Sequence, residues 1–278
     1  MRRWALWAVQ SAFFPGYRRP PPPGAGAPLE ALGVVELRTV LRSGRRLSVL
    51  RLSAAGGAES SRPQVVLVHP RSRRGKYFFA TCDRARLHLE AGCDVWLMDL
   101  NGIGESERID LSYASDVVAV AREAEAMGRA VVVHGVSFGS YQVGLSAPEL
   151  PEGTTVILEN CARSFYDGWK NWLLTRLGAK ALLTLAPRWS RGFDLQHALE
   201  RAANRQDLGW TVIASGDDAL TPAQQSSELL VWLPGERQLF VIEGAPHLKA
   251  PMQDPDGYRR ALASAWRRVG LLSAGTSC

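Results

Sequence analysis

Ser137 stands in His134-Gly135-Val136-Ser137-Phe138-Gly139, a Gly-x-Ser-x-Gly pattern directly behind the apolar run Val131-Val132-Val133. A strand that turns sharply into a helix at such a serine leaves no room for Cβ atoms at the flanking glycines. The same turn lifts the serine hydroxyl out at the end of a sheet, above a helix N-terminus. There the backbone N–H of Phe138 is a candidate oxyanion donor. A hydroxyl becomes nucleophilic only beside a base, and the base needs an acid to orient it. Of the five histidines, His247 is the best-placed base, because LFVIEGAPHL sets it in the loop after an apolar strand. VIASGDDALTP offers two acids, Asp217 and Asp218, at the end of the preceding strand. All three groups thus fall at the carboxyl ends of predicted strands.

The remaining histidines read differently. His134, one residue before the turn, is expected to be packed or to support the site from behind. His88 and His197 fall in helical stretches and are expected at the surface or an interface. His69 ends a strand and is expected to order the loop that follows. That loop, RSRRGK (Arg71–Lys76), has two readings. It is either a solvated basic loop, or Arg73, Arg74 or Lys76 holds an anionic group of a substrate, with Tyr77 as a further contact.

These groups must be positioned by regular elements, and the chain supplies them. Strands are expected at Val34–Val40, Arg46–Leu52, Gln64–His69, Asp94–Met98, Ala130–Val136, Thr155–Glu159, Trp210–Ser215 and Gln238–Ile242. The first two alternate polar and apolar residues, as an edge hairpin turning at Ser43-Gly44 would. The later ones are continuous Val/Ile-rich runs, as in parallel strands covered on both faces. Helical periodicity predicts Lys76–Ala91, Ser112–Met127, Phe138–Ser146, Thr221–Leu233 and Asp256–Val269, with Gly128 as a C-terminal cap. The alternation argues for one α/β domain over residues 34–270, with a mostly parallel eight-stranded sheet and helices on both faces. Residues 1–33 read as an N-terminal helix and proline-rich strap, and 271–278 as a tail. The stretch 161–209 reads as a cap insertion whose apolar face, with Trp169 and Trp172, would cover a pocket for an acyl or aromatic group.

Composition excludes several classes. At 278 residues, 46% hydrophobic and 22% charged, the chain has the make-up of a globular domain. The four cysteines, Cys82, Cys93, Cys161 and Cys278, show no metal-ligand or disulfide spacing, and no cofactor is expected. The net charge of +6 is concentrated early: residues 1–90 hold 16 Lys/Arg against 5 Asp/Glu, the remainder 17 against 22. No nucleic-acid module accompanies it, and no apolar run approaches the roughly 20 residues that span a bilayer. MRRWALWAVQSAFFPGYRRP leaves three readings open: a packed amphipathic helix, a signal-like start, or an interfacial helix giving peripheral membrane contact through residues 1–20. The expected location is cytoplasmic.

Together these motifs resemble the α/β-hydrolase superfamily over roughly Val34 to Val269. The order Ser137, Asp218, His247 is that superfamily's order. VVLVHP resembles its oxyanion strand, DLNGIGES its Asp-x-x-Gly-x-Gly-x-Ser turn, SGDDALTP its acid loop and GAPH its Gly-x-x-His loop. The resemblance implies Arg71 as the second oxyanion donor and favours Asp218 over Asp217. Pro70 stands where the family has glycine. VILENCARSF and the proline-rich strap are also similar to the Bem46/ABHD-like serine hydrolases, some of which are membrane-associated and include protein depalmitoylases. The implied activity is hydrolysis of a carboxylic ester or thioester, on a small-molecule or acylated substrate, through an acyl-serine. A peptidase or amidase, an acyltransferase, and a non-catalytic binding module remain alternatives on the same scaffold.

Overall fold

Eight strands form one sheet in this computed structural model, which describes residue 24 and residues 26–54, 62–128, 130–164 and 193–271. They are β1 (Val34–Arg42), β2 (Arg45–Ser53), β3 (Gln64–Val68), β4 (Asp94–Met98), β5 (Val131–Val136), β6 (Thr155–Glu159), β7 (Gly209–Ser215) and β8 (Glu236–Ile242). The spatial order is β1-β2-β4-β3-β5-β6-β7-β8. All eight expected strands are present. β1 and β2 form an antiparallel hairpin closed at Arg42↔Arg45, leaving Ser43 (φ 51°) and Gly44 (φ 71°) as its two turn residues. β2 pairs antiparallel with β4, and every pairing from β4 to β8 is parallel.

Every residue of β3 through β7 is buried. Burial on both faces explains the unbroken Val/Ile runs, because both sides of each pleat must be apolar. Val66 and Val68 pack into the layer with α2 (Tyr113–Glu125), α3 (Phe138–Ser146), α4 (Leu195–Arg201) and α5 (Ala223–Leu230). Val65 and Leu67 face the opposite layer, with α1 (Arg84–Glu90) and α6 (Pro255–Arg268). Leu29, on a helical turn at Ala27–Glu30, is fully buried in that second layer, so this part of the strap is tied to the body.

Two expectations are corrected. The run Lys76–Ala91 is not one helix: a 3-10 segment, Gly75–Thr81, is followed by α1, with Cys82 extended between them at φ −150° and ψ 156°. Tertiary bonds override the helical period here, since Lys76 is drawn to Asp99 and Arg84 to Glu159. Gly128 is not a left-handed cap. A Cβ there would lie 2.5 Å from Gln64 Cγ and 2.7 Å from the Arg62 carbonyl, so the glycine serves close approach. Of the expected cap, residues 165–192, including Trp169 and Trp172, lie outside the described residues. The end of that stretch belongs to the body, where Phe193, Leu195 and Leu199 are core residues. Among the described residues no helix is long and apolar enough to cross a membrane.

Candidate active site

β5 ends at Val136, α3 begins at Phe138, and Ser137 joins them at φ 54° and ψ −113°. A non-glycine residue in such a backbone conformation costs about 1–3 kcal/mol and needs outside support. That support is visible. The Ser137 N–H donates to the Glu159 carbonyl at 2.8 Å, and its own carbonyl accepts from Tyr141 N–H at 3.1 Å. The flanking glycines allow the elements to touch: a Cβ on Gly135 would lie 2.5 Å from Ser140 Cα, and one on Gly139 2.1 Å from the Val68 carbonyl oxygen.

The hydroxyl meets its expected partners. Ser137 Oγ lies 3.0 Å from His247 Nε2, and His247 Nδ1 lies 2.5 Å from Asp218 Oδ2. A carboxylate only accepts, so Nδ1 carries the proton and Nε2 is left to accept from the serine. Asp218 is buried and Asp217 is exposed, with its N–H on the Ala245 carbonyl at 3.0 Å. Only Asp218 therefore faces the imidazole. Its Oδ2 also accepts from Thr221 Oγ1 at 2.5 Å and Asn160 Nδ2 at 2.9 Å, and its Oδ1 from the N–H groups of Leu220 (2.8 Å) and Thr221 (2.9 Å). Burial pushes this carboxyl up, but the bonds from His247 and Thr221 outweigh it and hold it below the ordinary aspartate value. Asp218 is thus charged at neutral pH, as an orienting acid must be.

Arg71 and Phe138, the two expected oxyanion donors, follow the ends of β3 and β5, which are parallel neighbours in register at Val68↔Gly135. The close approach of Gly139 to Val68 and His69 fixes the N-terminus of α3 against that same loop. His69 orders it, as expected: Nδ1 donates to the Pro70 carbonyl at 2.7 Å, and Nε2 accepts from Leu100 N–H at 3.4 Å. Burial lowers the His69 pKa, in keeping with the neutral ring those two bonds require.

The basic loop divides. Arg73 and Arg74 are exposed, and Arg74 Nη1 donates to Thr81 Oγ1 at 3.4 Å. Lys76 is fully buried, a correction to its reading as a substrate contact. Its ammonium donates to Asp99 Oδ2 at 2.7 Å, Glu105 Oε2 at 2.5 Å and Ser48 Oγ at 2.9 Å, binding the DLNGIGES turn to the sheet. Tyr77 turns to that cluster too, its hydroxyl 3.4 Å from Glu105 Oε2 and its ring 5.0 Å from Lys76 Nζ.

His88 is also corrected: it is fully buried, while His197 is exposed. Trp266 Nε1–H donates to His88 Nδ1 at 3.0 Å, and His88 Nε2 lies 3.1 Å from His134 Nδ1. His134 Nε2 in turn lies 3.2 Å from Glu159 Oε2. A neutral imidazole can sit inside because a polar partner meets each ring nitrogen. Sequence reasoning noted Glu159 and Asn160 only within the resemblance of VILENCARSF and gave no role to them or to Arg84, since a polar residue in an apolar strand or a helix carries no signal of its partner.

A cavity of about 540 Å³ adjoins His247. Its walls include Leu32 of the strap, Phe78 and Phe79 of the 3-10 segment, and Pro251 and Met252 beyond the histidine loop. Such a volume suits a small-molecule group.

The fold has counterparts among known proteins. Solved structures of similar fold include an esterase from Pyrococcus furiosus, with TM-score 0.65 and 13% identity, covering 86% of this chain and 92% of that one. A lidless serine hydrolase from Xanthomonas campestris gives TM-score 0.59 and 19% identity, covering 87% and 97%. An alpha/beta hydrolase from a Penicillium species gives 0.63 and 12%, covering 86% and 99%. At these identities the likeness is one of fold. No curated protein matches the chain in sequence. The model of the Alpha/beta hydrolase family matches residues 65–262, from the first central strand to the last helix, and the chain belongs to that family.

Proposed function

We propose that the protein hydrolyses a carboxylic ester or thioester through an acyl-serine intermediate. The observation that carries this reading is the hydrogen-bonded line Ser137 Oγ–His247 Nε2 at 3.0 Å and His247 Nδ1–Asp218 Oδ2 at 2.5 Å. His247 takes the Ser137 proton as Oγ bonds to the carbonyl carbon. Backbone N–H groups of Arg71 and Phe138 receive the oxyanion, and Asp218 holds the imidazolium. On collapse the carbon–leaving-group bond breaks and His247 gives its proton to the departing alcohol or thiol. Water, deprotonated by His247, then releases the acid and restores the serine.

The leaving group must sit against His247, because that residue protonates it. The cavity beside His247 has Asp83, Arg84, Arg86 and Lys249 in its walls as well as Phe78, Phe79 and Met252, and it is the apolar side that supports an apolar leaving group. A fluorophosphonate probe tests the central reading: it is expected to label the wild type at Ser137 and not Ser137→Ala. Equal labelling of both would overturn it. With a fixed short acyl group, kcat/KM is expected to rise as the leaving group lengthens from methyl to phenylethyl. A flat or falling series would overturn the assignment of the cavity and leave the serine chemistry standing.

A further inference from the structure

Glu159 ends β6 and Asn160 follows it; between them they contact Ser137 and Asp218 directly and, through Arg84, the loop that carries His247. The Glu159 carbonyl accepts the Ser137 N–H at 2.8 Å and the Ser140 hydroxyl at 2.7 Å. Its fully buried carboxylate is held on several sides, by Arg84 Nε at 2.8 Å and Arg84 Nη2, by the Tyr258 hydroxyl at 2.8 Å, and by His134 Nε2 at 3.2 Å. Arg84 Nη2 then donates to the carbonyl of Leu248 at 3.1 Å. Leu248 directly follows His247 and has φ 65°, so this bond fixes the base from its own backbone. Asn160, at φ 51°, gives its N–H to the Ile213 carbonyl at 2.8 Å and its Nδ2 to Asp218 Oδ2 at 2.9 Å.

The chemistry of Arg84 matters here. A buried ion pair adds little net stability over well-packed apolar side chains. What the guanidinium adds is a rigid fork: it holds both carboxylate oxygens of Glu159 and still has an N–H for Leu248. The relay Trp266–His88–His134 fixes the other side of the same carboxylate in one set of tautomers. Glu159 is therefore a rigid post joined by its main chain to the nucleophile and, through Arg84, to the loop of the base.

We propose that Glu159 and Arg84, with Asn160, are positioning residues that hold Ser137, His247 and Asp218 at reacting distance, an inference that rests on the serine-hydrolase reading. Glu159 does not line the cavity beside His247; Arg84 does, but its guanidinium N–H groups are committed to Glu159 and Leu248, so each acts through the residues it places. Displacing a reacting group by about 1 Å costs up to roughly a hundredfold in rate, so the effect belongs in kcat and not in KM.

The test compares Arg84→Lys with Arg51→Lys. Lysine keeps the buried charge beside Glu159, so the fold survives, but it cannot span both carboxylate oxygens and the Leu248 carbonyl. Arg51 makes an equally buried ion pair with Asp94 at 2.7 Å, between β2 and β4 and away from the site, and controls for the cost of damaging such a pair. With p-nitrophenyl butyrate, Arg84→Lys is expected to lower kcat by about tenfold to a hundredfold, with KM within about twofold and the fluorophosphonate labelling rate falling in parallel. Arg51→Lys is expected to lower the melting temperature by a similar amount and keep wild-type kcat. Asn160→Gly, which retains the positive φ and loses only the amide, is expected to lower kcat by about tenfold at unchanged KM. Wild-type kcat in Arg84→Lys, equal kcat losses in both arginine variants, or an effect confined to KM would each overturn the positioning role. A wild type that does not label at Ser137 would overturn the hydrolase reading and this inference with it. Normal labelling of the wild type with an unaffected Arg84→Lys overturns this inference alone.

Discussion

At Ser137 the backbone takes φ 54° and ψ −113°, angles that glycine adopts freely and serine does not. Replacing Ser137 by glycine removes that strain, while alanine retains it. Ser137→Gly is therefore expected to be about 1 kcal/mol more stable than Ser137→Ala, a difference of a few degrees in thermal melts, with both inactive. Asp218 makes a second residue-scale case. Asp218→Asn preserves the volume but puts an amide against His247 Nδ1, favouring the wrong tautomer. Its kcat on an ester is expected to fall by about three to four orders of magnitude, as steady-state assays would read. Ser137 and His247 were legible in the sequence because a glycine-flanked serine and a post-strand histidine each have a local reason for their place. Between Asp217 and Asp218 the residues alone did not choose, since both occupy one turn, and only the family resemblance favoured Asp218. The choice is decided by which carboxylate the Leu220 and Thr221 N–H groups capture. The pairing of Glu159 and Arg84 was invisible for a different reason: they lie 75 positions apart and meet only through the sheet.

The elements were more legible than their details. Runs such as VVLV and VILE must be buried on both faces, and only a covered parallel sheet accepts them. The Lys76–Ala91 helix was misread because the helical period records an amphipathic stripe, whereas two buried cations pulled in different directions break the segment at Cys82. Where elements touch most closely, substitutions should cost most. A Cβ on Gly139 would meet the Val68 carbonyl at 2.1 Å, so α3 and β3 would have to part. Gly139→Ala is expected to destabilise by about 2 kcal/mol or more and to lower fluorophosphonate labelling even in the folded fraction. A melt together with labelling at low temperature checks both. An unchanged melting temperature would mean that this contact is looser than its geometry.

For the molecule as a whole, the buried relay makes stability depend on pH. Burial holds His88 well below the ordinary histidine value, with His134 lowering it further, and burial also lowers His134 despite its bond to Glu159. In the unfolded chain both return to about 6.5. Below that pH the unfolded chain takes up protons that the folded one refuses, so this contribution to stability is complete above about 6.5 and is lost on acidification. His88→Gln keeps a donor and an acceptor but does not titrate. Between about pH 7.5 and 5.0 the wild type is expected to lose about 2 kcal/mol more than this variant, read from urea or thermal unfolding at each pH. Parallel losses would show that His88 takes up its proton in the folded state. A different consequence follows from the order of the strands. Ser137 directly follows β5 in the middle of the sheet, but its proposed base, His247, comes 110 residues later, after edge strand β8. On the proposed mechanism, Ser137 can thus be shaped during synthesis well before anything exists to deprotonate it, and the protein stays unarmed until its last strands dock. Refolding should show the same delay, with Trp96 in the central sheet recovering its native fluorescence before ester hydrolysis returns.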